Sequence, residues 1–336
     1  MFLNMFITSH LKKLSFSSEE SDKIIDQTKL LYSTDNNGET YLKIKIGSQY
    51  YTIHGYSRAG LKTCILVDEF NVGLDMGYSN EKTFSYDNKL ITHGHNDHIG
   101  ALHNDHCTRK LYNIEKLKMF IMPKQCIIPF NMITTAISEM NCGKSGENMK
   151  VFNSLLSTNI VESEYCELNY QPLIGVSKPV SEYVVKSFEM DHKIKSYGYI
   201  IYRLSKKLKP EFQGLTTKQI IEIKKKIGNE NLTEQSYTPL LGYTGDTTIN
   251  GVLKHNEFLN VPLLIMECTG FSPDNKIKCI EGKHIHWDDI ISNYTFFNNE
   301  KIILFHFSQQ YHFIKDILQY TENSPKELNN KIILFF

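Results

Sequence analysis

The pattern of apolar and polar positions changes character along the chain. Residues 1–40 carry a charged stretch, Ser15 to Asp26, and a turn-rich segment, Ser33 to Glu39, without sustained periodicity. From Tyr41 the texture is that of β-structure. YLKIKIG alternates apolar and polar and predicts a half-buried strand; YYTIHGYS, CILVDEF and NVGLDMG follow as short runs bounded by Gly, Asp or Asn. KLITHGH is an apolar strand that runs directly into a polar loop. Residues 99–120 predict a helix and a return strand, KMFIMP, and TAISEM predicts another helix. EYVVKSFEM and YGYIIYRL return to strand.

Residues 205–236 break this pattern. They are Lys-rich and interrupted by Pro210 and Gly214; Thr216 or Thr217 is suited to cap a short helix through Ile227 that ends at Gly228. The segment reads as an excursion from the core. Beyond it LLGYTGD, VPLLIMECT and KIILFHF predict strands, and SQQYHFIKDILQY a helix. No repeat at a fixed period is present. Two β-rich halves with helices outside predict a layered α/β domain, not a doubly wound parallel sheet. The expected organisation is an N-terminal extension over 1–40 and one domain over 41–336, with an arm inserted at 205–236.

Composition narrows the class. With 336 residues, 41% of them hydrophobic and 22% charged, the chain can bury a sizeable core. Mean hydropathy is −0.32 and no apolar run reaches membrane-spanning length, so no transmembrane helix and no membrane partner are expected. MFLNMFITSHLKK lacks a basic start and a small-residue cleavage site, so it does not read as a secretory signal. Seven scattered cysteines without a CxxC pair argue against a disulfide framework or a Cys-type zinc site. An intracellular protein, cytoplasmic or nuclear, is expected. A net charge of +0 excludes a whole-molecule grip on nucleic acid but leaves room for local basic patches.

The chemistry concentrates in His93-Gly94-His95-Asn96-Asp97-His98, which follows a strand and precedes a helix. Three imidazoles and a carboxylate on one loop suit Zn²⁺. Asp191-His192, Gly245-Asp246 and His306 each follow a later strand. Singly, each reads as a satisfied histidine or an Asp in a turn. In this order after HxHxDH, they read as further metal ligands. His103 and His106 read as exposed, His54, His255 and His312 as structural or surface, His286 as locally packed, and Cys268 as a small buried hydrophobe.

HxHxDH, a later His, a GD turn and a final His resemble the ligand set of the metallo-β-lactamase superfamily. GYSRAGLKTCILVDEFNVGLDMG, ITHGHNDHIGAL, YGYIIY, YTGDTT, LIMECTGF, GKHIHWDDI and LFHFSQQYH are similar to ribonuclease Z, the tRNA 3′-processing endonuclease, in its short form. The similarity runs from about Tyr51 to Lys315. It implies a four-layer αββα sandwich with a protruding Lys-rich arm, two Zn²⁺ (or Mn²⁺) per subunit, precursor tRNA as substrate and a homodimer. Carried over by position, His93, His95 and His192 match the ligands of one zinc. Asp97, His98 and His306 match the other, Asp246 the bridging carboxylate, and Asp75 a residue that orients ligands. Glu267 and His284 match the acid pair that protonates the leaving oxygen, and Asp97 also orients the nucleophile. The implied products are a 3′-hydroxyl on the tRNA and a 5′-phosphate on the trailer.

Gln309-Gln310 stand where the family often has Ala-Arg, Ile285 follows the acid His where a small hydroxyl is preferred, and Ala101 replaces a Gly. Lys206, Lys207, Lys209, Lys224, Lys225 and Lys226, with Lys218, fall where the family has its tRNA-binding arm. On charge pattern alone, a solvated helix face is the simpler reading, because Glu211, Glu222, Glu230 and Glu234 dilute the charge. A superfamily hydrolase of a small phosphodiester or thioester, or an RNA-binding relative impaired in catalysis, are the alternative functions.

Overall fold

The computed structural model describes residues 31–34, 39–111, 118–142, 160–162, 170–173, 175, 182–322 and 324–336. The strands form two sheets, one from each half of the chain. The first contains β1 (Leu31–Thr34), β2 (Thr40–Ile46), β3 (Gln49–Arg58), β4 (Lys62–Val67), β5 (Val72–Leu74), β6 (Asn88–Leu90), β7 (Met119–Met122) and β8 (Ile160–Glu162), side by side in chain order. The second contains β9 (Gln171–Pro172), β10 (Glu182–Met190), β11 (Ser196–Leu208), β12 (Thr233–Tyr243), β13 (Leu263–Glu267), β14 (Lys301–Phe305) and β15 (Ile332–Leu334), again in order. Each sheet starts antiparallel and finishes parallel, switching at β5–β6 and at β12–β13.

Alternation decides which face is buried. In β2, Leu42, Ile44 and Ile46 point inward while Tyr41, Lys43 and Lys45 face solvent. The inward residues join Ile53, Val67 and Leu74 of the first sheet and Tyr199, Ile201, Tyr243, Ile265 and Phe305 of the second in one core between the sheets. Full burial of each such side chain contributes roughly 1.5–3 kcal/mol. The parallel strands β13 and β14 are largely apolar on both faces and carry helices outside. Leu102 of the helix Leu102–Leu111, with Cys126 and Phe130 of the helix Lys124–Cys142, covers Leu66, Ile91 and Phe120. Phe258, Trp287, Ile290 and Ile317, from three later helices, cover Ile200, Leu264 and Leu304. The result is helix, sheet, sheet, helix: the four-layer α/β sandwich.

Several elements differ from the sequence reading. The first sheet begins before residue 41, because β1 pairs antiparallel with β2, Leu31 opposite Lys43. Residues 1–30 and the Asn-Asn-Gly turn lie outside the described residues. The helix expected at TAISEM starts at Lys124 and carries Pro129 inside it. In SQQYHFIKDILQY only Lys315–Thr321 is helical. Its front half is held by tertiary bonds instead, the Tyr311 hydroxyl accepting from the Phe271 and Ser272 amides.

The excursion is an extension of the β11–β12 hairpin. The two strands stay paired as far as Leu208 opposite Thr233, while β11 turns from buried to exposed after Tyr202. At its end lies the helix Thr217–Ile227, with a capping box between Thr216 and Gln219 and Gly228 as its stop.

Candidate metal centre

The HxHxDH loop leaves β6 through Thr92 and turns into the short helix Asn96–Ile99. His192 follows β10, Asp246 follows β12 and His306 follows β14. The turn after β12 needs glycine: Gly245 has φ +60°, and a Cβ there would lie 2.5 Å from the Thr92 methyl. That contact lays the Asp246 loop against the HxHxDH loop.

Three overlapping groups of donors result. His93, His95, His192 and Asp246 form the first; Asp97, His98 and His306 form the second; Asp246 and His306 recur with His284 in the third. His95 Nδ1 is 3.0 Å from His93 Nε2 and 3.3 Å from His192 Nε2. In the second group, His98 Nε2 is 3.2 Å from His306 Nε2, and Asp97 Oδ2 is 3.4 Å from His306 Nε2. Asp246 Oδ2 lies between the groups, 3.7 Å from His93, 3.3 Å from His98 and 3.4 Å from His306.

Hydrogen bonds behind the imidazoles set which nitrogen faces inward. His98 Nδ1 donates to Asp75 Oδ2 at 2.8 Å. His93 Nδ1 meets Thr92 Oγ1 at 2.9 Å, and that hydroxyl donates onward to Asp75 at 3.0 Å. His306 Nδ1 meets Thr269 Oγ1 at 3.0 Å, and that hydroxyl donates onward to Glu267 Oε2 at 2.7 Å. His192 Nδ1 donates to the Lys283 carbonyl at 3.1 Å. With Nδ1 held by these bonds, the Nε2 atoms of His93, His98, His192 and His306 face the centre. Asp75 is fully buried and also accepts from the Thr92 amide at 2.7 Å and the Tyr243 hydroxyl at 2.6 Å. Gly60 N donates to Asp97 Oδ2 at 2.7 Å.

The electrostatics suit a cation. Burial lowers His93, His95 and His192 from the ordinary histidine pKa, keeping them neutral ligands. Burial pushes Asp97 and Asp246 up, but the surrounding imidazoles outweigh it and hold both carboxyls well below the usual range. Asp246 Oδ1 is buried with no hydrogen-bond partner. An orphaned buried carboxylate oxygen is costly unless a cation takes it, so these residues fit a metal. Backbone strain collects here as well: Asp75, Lys283 and His306 all sit at positive φ, 58°, 54° and 67°.

His284 Nδ1 is 2.9 Å from Glu267 Oε1 and 3.9 Å from Asp246 Oδ2. Burial lowers the His284 pKa, yet the Glu267 charge and hydrogen bond overcome this and raise it to about 9. Three other histidines are occupied elsewhere. His54 bonds Asp68 and Tyr86, His255 meets the Glu189 carbonyl, and buried His286 meets the Ser272 carbonyl. Cys268 is fully buried.

All the named donors, Asp75 and the Glu267–His284 pair are brought together. The arm lysines are not. Ser196, at the start of β11, contacts Asp246, whereas Lys206 and Lys207 are exposed ten and eleven residues further on, about 33 Å away along the strand. Sequence reasoning missed Thr92, Tyr243, Gly60 and the Lys283 carbonyl. Thr92 was signalled by its position immediately before His93, and Thr269 by the Glu-x-Thr spacing; Tyr243 carried no signal.

Fold and donor set define the class: a four-layer α/β sandwich whose strand ends carry groups of His and Asp that could hold metal ions. No family model matches the chain. It is 28% identical over 285 residues to tRNase Z TRZ1 of Arabidopsis thaliana, covering 84% of this chain and 94% of that relative. It is equally 28% identical over 286 residues to the chloroplastic tRNase Z TRZ2 of the same plant, covering 84% and 74%. The crystal structure of human tRNase Z, short form, aligns with a TM-score of 0.46 at 15% identity, covering 83% of this chain and 95% of that one. The ribonuclease Z resemblance read from the motifs is borne out by these tRNase Z relatives. Among the described residues, no helix is long and apolar enough to cross a membrane.

Proposed function

We propose that this protein is an intracellular, zinc-dependent endoribonuclease that removes the 3′ trailer from precursor tRNA. The observation that carries the reading is the meeting of two donor groups at Asp246 beside the Glu267–His284 pair. His93, His95 and His192 would hold one ion, Asp97, His98 and His306 the other, and Asp246 both. Two zinc ions held there would lower the pKa of an attacking water and offset the charge on the phosphate; manganese is the alternative metal.

The chain's own residues do the rest. Asp97, anchored by the Gly60 amide, accepts a hydrogen bond from the nucleophile and orients it. His284 keeps its Nδ1 proton on Glu267, so Nε2 gives its proton to the departing 3′-oxygen. The products are a 3′-hydroxyl on the tRNA and a 5′-phosphate on the trailer. The arm lysines, lying far from their own subunit's centre, serve the site of a second copy in a homodimer.

The test uses end-labelled precursor tRNA with a 3′ trailer, wild type beside Asp246→Ala, and elemental analysis of both. One cut after the discriminator base, made by a protein with two zinc equivalents and absent in the variant, is expected. A wild type that holds two zincs and leaves the precursor intact overturns the reading and points to a small phosphodiester substrate.

A further inference from the structure

We infer that the outer face of the β2–β3 hairpin is a second RNA-binding surface, continuous with the root of the arm, that grips the body of the tRNA through its phosphates. The inference rests on the precursor-tRNA reading above. A chain with no net charge can hold RNA only through local concentrations of cations, and the arm is one such place. The hairpin is another. Strand alternation puts Tyr41, Lys43 and Lys45 on the solvent face of β2, and Tyr50 stands directly opposite Lys45 on β3. Tyr41 is 40% exposed and Tyr50 50% exposed, high for residues of such apolar area.

Both ammonium groups lie over the Tyr50 ring, Lys43 Nζ at 5.8 Å and Lys45 Nζ at 5.5 Å from its centroid. The ring collects two cations without neutralising either. Glu69 accepts from the Thr52 amide, opposite Lys43, and among the described residues no carboxylate forms an ion pair with either lysine. The lysines are two strand residues apart, about 7 Å, comparable with the step between neighbouring phosphates of an RNA strand. Lysines over an aromatic ring on an open sheet face are the elements of a sequence-independent nucleic-acid platform.

The hairpin is also tied to the arm. Arg203 Nη2 donates to Gln49 Oε1 at 2.6 Å, joining β11 to the residue before Tyr50. Lys206 and Lys207 follow three and four residues later on the same strand. This bond sets the hairpin tip beside the root of the arm.

The test measures binding apart from cleavage. Fluorescently labelled mature tRNA, which has no trailer to lose, is titrated with the full chain at several salt concentrations. Wild type is compared with Lys43→Ala/Lys45→Ala and with Lys43→Arg/Lys45→Arg. The alanine pair should raise Kd about tenfold near physiological salt and reduce the slope of log K against log salt by about 1.5, as expected for two lost phosphate contacts. The arginine pair should restore both. Turnover of bis(p-nitrophenyl) phosphate should stay at the wild-type level in each variant, because the hairpin tip is remote from the metal centre. An alanine pair with wild-type Kd and salt slope overturns the inference. Failure of the cleavage reading shows instead as bound precursor that is never cut.

Discussion

His284 owes its chemical character to one neighbour. Glu267 holds it protonated to about pH 9, so the acid form is present below that value and is lost as pH rises through it. The cleavage rate should fall on the alkaline side near pH 9. In Glu267→Gln the imidazole loses the charge that raises its pKa while burial still lowers it, so the fall should move to lower pH and cost more than tenfold in kcat at pH 8. A kcat–pH profile of the two proteins checks this; coincident alkaline limbs would remove His284 from the acid role. Asp75 acts differently. It touches no proposed ligand nitrogen from the inner side, but it fixes the protons of His98 directly and of His93 through Thr92. Asp75→Asn should weaken metal retention roughly 10–100-fold, read by chelator competition.

Elements with local instructions were legible. The arm helix is bounded by its own cap and stop, Thr216 and Gly228, and needs no tertiary partner to define its ends. Thr216→Ala should destabilise that helix by about 1 kcal/mol and speed amide exchange within it, leaving the melting of the sandwich unchanged. Elements fixed by distant partners were not legible. The helix expected at TAISEM extends back through Pro129 to Lys124, and Cys126 and Phe130 in that added part are buried on the sheet. Residues 308–314 carry a helical pattern but are held by Tyr311 and by Gln309, which donates to the Ala59 carbonyl. β15 had a signal that went unread: KIILFF repeats the KIILF of β14 and pairs beside it.

At the scale of the molecule, the donors come from both sheets. The first contributes His93, His95, Asp97 and His98; the second contributes His192, Asp246 and His306. The types of these residues, and their placement after strands, could be read from the chain. That the two groups share Asp246 Oδ2 could not, because it depends on how two separate sheets pack. Bound metal would act as a cross-link between them, so stripping it with a chelator should lower the melting midpoint by several degrees. Asp246→Ala should start from the lower midpoint and respond little to the chelator. Equal midpoints with and without metal would mean that the sheets hold the site unaided.

The spread of donors along the chain has a consequence for synthesis. The ribosome delivers His93 early and His306 late, with more than half of the protein between them. A chain interrupted before His306 carries only the first donor group in full and lacks the last member of the second. Stalled or prematurely terminated products are thereby left without a complete donor set, so the centre can be assembled only on a chain that has been made almost to its end.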